Sequence, residues 1–353
     1  MSWLQSPLLR ALRDPAVMAG FGAPQWDLAL RQARSADLLG RLAALARQHD
    51  GLLSCLPAPV LRHFSAAQSV VTRQHKAVHW ETQQIAQTLL PTGAPMLLLK
   101  GAAYAMADAP AALGRTFSDI DILVPKAQLD EVESALILDG WLTATSDAYD
   151  QRYYRRWMHE LPPMTHLERQ TTLDVHHAIL PETARIRSRP ELLLAAMQPV
   201  PGFANVHVPA PTDQILHSAC HLFHEGEWGH GLRDLSDLDL LLRANGTSEK
   251  AGHALLARAQ ALNLTIPLAY AVRCAHRVFQ TPLPQELLAR LRDRSWMDAL
   301  FLQAVSTAHA SMASPASPWA RRILYIRSHW LRMPLHLLLP HLAHQAFKRE
   351  KDT

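Results

Sequence analysis

Through residues 1–90 apolar side chains return every three or four positions, as at Leu38, Leu39, Leu42, Leu45 and Ala46. That is the interval at which one face of an α-helix recurs, so the segment predicts several amphipathic helices, broken near Pro57 and Pro59. At PTGAP, residues 91–95, the pattern changes. MLLLKG (96–101) is a short apolar run closed by glycine, AAYAMADA (102–109) is helix-like, and SDIDILV (118–124) reads as a second strand. KAQLDEVESALILDGW (126–141) predicts a helix ended by Gly140, and YYRRWMH (153–159) and TTLDVHHAI (171–179) predict further strands. After PETARIRSRP (181–190) the helical period resumes to the end, interrupted by ANVHVPAPTD (204–213). The expected class is α+β: an N-terminal helical region (1–90), a small mixed-sheet core (91–182) and a C-terminal helical domain with a basic tail (183–353).

Composition narrows this picture. Hydrophobic residues make up 48% of the 353 and charged ones only 19%, which excludes intrinsic disorder and supplies a large core. The three cysteines, Cys55, Cys220 and Cys274, show no CxxC spacing, which argues against a disulfide framework or a thiolate zinc site and for a reducing, cytoplasmic setting. The start does not read as a secretory signal, and no run of about 18 apolar residues is present. Charge is concentrated at one end: residues 321–353 hold seven Lys/Arg against Glu350 and Asp352, more than the whole net charge of +4.

The chemistry is most legible in RTFSDIDILVP (115–125). Side chains on a strand alternate, so Asp119 and Asp121 project to one side while Ile120, Ile122 and Val124 pack on the other. Two neighbouring, partly buried carboxylates need a counter-charge, and Mg²⁺ or Mn²⁺ supplies one while keeping positions open for phosphates. In LDVHH (173–177) Asp174 has Leu173 and Val175 on the opposite face and shares its own with His176. An adjacent strand would bring Asp174 beside the first pair, the three-carboxylate arrangement of a two-metal clamp. Upstream, the strand end at Lys100 and Gly101 lets backbone approach a phosphate, and Lys100 and Arg115 offer positive charge to a polyphosphate. The alternatives are plain: Lys100 as a surface lysine, Arg115 as the ion-pair partner of an aspartate, Ser118 as a turn cap.

On these residues the chain resembles the nucleotidyltransferase superfamily related to DNA polymerase beta, and within it the uncharacterised bacterial nucleotidyltransferases. The likeness rests on the Lys-Gly strand end, the Arg ahead of Ser-Asp-Ile-Asp, the later Asp-x-His, and the segments VPAPTDQILHSACHLF and GLRDLSDLDLLLR, and it covers roughly residues 90–245. The resemblance implies metal ligation by Asp119 and Asp121, a third carboxylate in Asp174, and phosphate contact around Lys100, Gly101 and Ser118. It also implies a helix over the pocket that brings in His221 and Asp237. The family's usual Gly-Ser is here Lys100-Gly101-Ala102, and the spacer to Asp119 is long. The expected activity is transfer of a nucleoside monophosphate from an NTP such as ATP to an unidentified hydroxyl-bearing acceptor, with release of pyrophosphate. Its rival is a nucleotide-sensing scaffold without turnover.

Two further features stand outside that scheme. His217, His221 and His224 fall on one helical face, followed by Glu225, Glu227 and His230, a spacing open to a zinc-dependent hydrolase or to a polar helix face packed over the site, with Arg233 and Asp237 as an i, i+4 pair. The tail 321–353 mixes arginines, leucines and Trp330, which suits either peripheral contact at the inner membrane surface or a terminal helix packed on its own domain, Pro334 and Pro340 opposing one long helix. No aromatic-interleaved basic stripe predicts nucleic-acid binding outside it.

Overall fold

The structure, a computed structural model, describes residues 2–143, 157–224, 226, 228–291, 295–334 and 338. Three helices open the chain, α1 (Pro7–Arg13), α2 (Ala23–Ser35) and α3 (Leu39–Gln48), followed by the long α4 (Ala58–Leu89). Pro57 and Pro59 mark the start of α4, where proline costs no helical hydrogen bond, and its 32 residues run for about 48 Å. The sheet begins at β1 (Met96–Leu99), from which α5 (Lys100–Met106) leads to β2 (Ile120–Leu123), α6 (Leu129–Leu138), β3 (Trp141–Thr143), β4 (Met164–His166) and β5 (Thr172–His176). After α7 (Pro190–Ala195) the chain returns to the sheet in β6 (Gln198–Pro199) and β7 (Val206–Val208).

The strand order is β3-β4-β5-β2-β1-β7-β6, mixed, with β2 parallel to β5 and antiparallel to β1. This mixed sheet flanked by helices is the expected α+β class. It reaches further along the chain than the expected core, because β7 pairs in parallel with β1. The strand expected at YYRRWMH is not observed over residues 157–159; its first four residues lie outside the described ones. Glu160 makes only an isolated bridge to His176.

One sheet face, with Met96, Leu98, Ile122, Leu173 and Val175, packs on Ile85 and Leu89 of α4 and Val132 and Leu136 of α6. The other, with Leu97, Leu99 and Leu123, joins a larger core that also contains Leu8, Leu9 and Leu42 near the N-terminus and Phe223, Tyr270 and Phe279 further on. The helices on that side are α8 (Pro211–His224), α9 (Gly231–Asn245), α10 (Glu249–Ala261), α11 (Thr265–Phe279), α12 (Gln285–Arg290), α13 (Ser295–Val305) and α14 (Ser317–Arg332). Among the described residues no helix is long and apolar enough to cross a membrane.

Candidate active site

Register sets the site. Asp121 on β2 stands opposite Asp174 on β5, and Leu123 opposite His176, so alternation turns both carboxylates and the imidazole to the sheet face beneath the C-terminal helices while Ile122 and Val175 enter the opposite core. Ligand atoms of Asp121, Asp174 and His176 lie within 4.8 Å of one another. Asp121 Oδ1 accepts from Lys100 Nζ at 2.8 Å and lies 3.2 Å from His176 Nε2. His176 Nδ1 is 3.1 Å from Glu160 Oε2, and the His159 ring lies 5.4 Å from that of His176.

Burial would raise the Asp121 carboxyl; the Lys100 ammonium beside it and the His176 hydrogen bond outweigh that and hold it well below the usual carboxylate range. Asp174 feels the same two charges more weakly. Burial first, and the negative charge of Asp121 second, push it up to about 7. Among the described residues its buried Oδ1 has no hydrogen-bond partner. A buried oxygen left unsatisfied beside a second carboxylate and an imidazole is a donor set suited to a divalent cation, which would relieve both costs.

Lys100 is held by backbone as well as by charge. It sits at the β1–α5 junction with φ 46°, a left-handed conformation that costs a lysine of order 1 kcal/mol and aims its side chain at Asp121. Asp119, just before β2, is half-buried and accepts from the exposed Ser118 hydroxyl at 2.8 Å; it does not join the cluster of Asp121, Asp174 and His176.

Arg115 and Asp237 pair with each other, beside Gly101. Arg115 Nε donates to Asp237 Oδ2 at 2.8 Å, and Arg41 Nη2 to Asp237 Oδ1 at 2.7 Å, all three residues being buried. Arg115 also lies over the Tyr104 and Phe117 rings, and burial, which would lower its pKa, is outweighed by Asp237. Its guanidinium is engaged in a buried ion pair, the alternative that the sequence offered beside the phosphate role. A Cβ on Gly101 would fall 2.2 Å from Arg115 Nη1, so that glycine makes room for the arginine. Arg233 pairs with Asp234 at 2.9 Å instead of with Asp237.

Helix α8 covers the site. His217 is buried, and burial first, then the Lys100 charge, push it down to about 3, so it is neutral and close to the lysine. His221 is half-buried, within electrostatic reach of His217 and Asp234. Among the described residues the α8 histidines do not form a cluster of three ligand atoms; Glu225 and Glu227 lie outside those residues. Sequence reasoning missed His159 and Glu160 behind His176, which carry no strand period of their own, and Arg41, whose partners lie 70 to 196 positions away.

A separate groove of about 1100 Å³ runs along α4 past Arg47, His75 and Trp80, and Asp119, Asp121 and Asp174 do not line it. The model of a family described as uncharacterised nucleotidyltransferases matches residues 22–280. No curated protein matches the chain.

Proposed function

Because the chain belongs to that nucleotidyltransferase family, we propose that it transfers a nucleoside monophosphate from an NTP to a hydroxyl-bearing acceptor, with Mg²⁺ or Mn²⁺, at the site formed by Asp121 and Asp174. The observation that supports this most is the meeting of two carboxylates from parallel neighbouring strands, one of them with a buried, unpartnered oxygen. Asp121 and Asp174, with Asp119 at the mouth of β2, would hold the cation, which supplies charge neutralisation to the phosphates and lowers the pKa of an oxygen bound to it.

The protein's own groups account for the rest. Lys100 neutralises Asp121; a cation held by the carboxylates would supply that charge as well, and the lysine's ammonium would then serve the triphosphate. Asp174 receives the proton of the acceptor hydroxyl; the acceptor oxygen then bonds to the α-phosphorus while the bond to pyrophosphate breaks. His176, fixed between Asp121 and Glu160, orients Asp121, and neutral His217 lines the covering helix without repelling Lys100. Ser118 and Gly101 stand by the entrance and the lysine, and His221 and Asp237 support the covering helices.

One observation favours a second reading, nucleotide binding without turnover: Asp121 is paired with both Lys100 and His176 of the chain itself. Incubation with each α-labelled NTP, Mg²⁺ or Mn²⁺ and cell extract separates the two. Label transfer lost in Asp121→Ala supports the transferase; saturable NTP binding with no transfer under any of these conditions overturns it in favour of the sensor.

A further inference from the structure

Helix α14 is amphipathic in an inverted sense. Its buried positions are the small or single-branched Ser317, Ala320, Leu324 and Ser328. Its large apolar residues face out: Trp319 is 64% exposed, Ile323 46%, Ile326 66% and Trp330 43%. They fall at i, i+4, i+7 and i+11, one continuous stripe. Single exposed apolar residues are ordinary, but a stripe of four with Tyr325 at its border, 51% exposed, marks a surface that leaves water.

Charge identifies what covers it. The helix carries four arginines and no Asp or Glu. Arg327 turns inward, donating to the Phe223 carbonyl and lying over the Tyr270 and Phe301 rings, whereas Arg321 and Arg322 are exposed. Arg185 stacks 3.8 Å over the Trp330 ring and donates to the Trp330 carbonyl, adding a cation at the far end. Between Trp228 and the helix, Arg321, Arg322, Tyr325 and Ile326 line a depression of about 390 Å³. Its floor is held close because Gly226 lies against Ser328, where a Cβ would fall 2.5 Å from the hydroxyl oxygen. Aromatic rings with polar edges at both ends of a cationic apolar face are the chemistry of the lipid interface, and a pair of arginines beside an apolar pit suits a phosphate headgroup with its chain.

We infer that the outer face of α14 docks the protein on an anionic lipid surface, lying in the interface with Trp319, Ile323, Ile326 and Trp330 inserted, Arg322 at the border of that stripe on headgroup phosphates, and Arg321, on the far side of the depression, adding to the attraction. The helix lies on the membrane and does not span it. This inference is independent of the metal site, since none of these residues touches the carboxylates.

The test is co-sedimentation of the full chain with vesicles of phosphatidylcholine alone and with phosphatidylglycerol added, together with light scattering in solution. Binding is expected only to the anionic vesicles, weakening with salt, and to fall at least about tenfold both in Arg321→Glu/Arg322→Glu and in Trp319→Ser/Ile326→Ser. All four positions are exposed, so circular dichroism and thermal unfolding should be unchanged. Absence of binding to the anionic vesicles overturns the inference. So does vesicle binding that survives Trp319→Ser/Ile326→Ser, which would reduce it to bulk charge attraction, or a dimer in solution that the same pair of substitutions dissociates, which would make the stripe an interface between copies.

Discussion

Asp174 and His217 titrate in opposite senses because burial penalises charge of either sign. The Asp174 carboxyl is raised from 3.8 to about 7, so its contribution favours folding below about pH 4 and is lost as pH rises through 7. Metal-free protein is therefore expected to lose thermal stability over that window, by at most about 4 kcal/mol at 1.36 kcal/mol per unit. Added Mg²⁺ or Mn²⁺ should restore it, and Asp174→Asn should flatten this limb while abolishing transfer. Thermal unfolding across pH with and without metal checks this; a metal-free profile identical in wild type and Asp174→Asn counts against it. His217 is lowered from 6.5 to about 3, so its contribution is full above pH 6.5 and is lost as pH falls toward 3. His217→Asn should make unfolding less steep on the acid side, read by the same scans.

At the scale of elements, the join between α3, the loop before β2 and helix α9 is a buried charge cluster beside a backbone contact. Arg41 donates to the Ala111 and Leu113 carbonyls, to Ser236 and to Asp237, while Arg115 holds the other Asp237 oxygen. Removing Asp237 leaves two buried guanidiniums facing each other, whereas removing Arg41 leaves Asp237 still paired. Asp237→Asn is thus expected to cost more than Arg41→Met, with losses of roughly 3–5 kcal/mol for the worse of the two in denaturant unfolding. Arg115→Met should likewise lower stability; a variant of normal stability with a raised KM for NTP would return Arg115 to the phosphate role that its position before Ser-Asp-Ile-Asp suggests. Gly114, at φ 61°, would place a Cβ 2.4 Å from Gly40 backbone, so Gly114→Ala should fail more severely than an ordinary glycine substitution. These joins mark where the sequence stopped being readable. Strand alternation in SDIDILV and TTLDVHH predicts which side Asp121, Asp174 and His176 take, whereas the adjacency of β2 and β5 that makes the two carboxylates meet is not carried by local period. Arg41 has no local signal, Gly101 looks like a phosphate-loop glycine but accommodates an arginine, and β6 and β7, two and three residues long, are too short to carry a period.

For the whole molecule, the question is whether the segments expected at 1–90, 91–182 and 183–353 unfold as three domains. The larger core argues against it. Leu8, Leu9 and Leu42 share one cluster with Leu97, Leu99 and Leu123 of the sheet and with Tyr270 and Phe279 of α11. Arg13 donates to the Val278 carbonyl at 2.6 Å and Gln32 to the Ser311 hydroxyl at 2.9 Å, so the first helices are tied to the last ones directly. A region whose apolar face is completed by residues more than 200 positions away gains little of its burial energy alone. Calorimetry of the metal-free chain should accordingly give one cooperative transition with calorimetric and van't Hoff enthalpies in agreement. A chain lacking residues 1–57 should be poorly folded even though every carboxylate of the site lies beyond the cut. Two or more resolved transitions, or a well-folded truncated chain that still binds NTP, would restore the three-domain division.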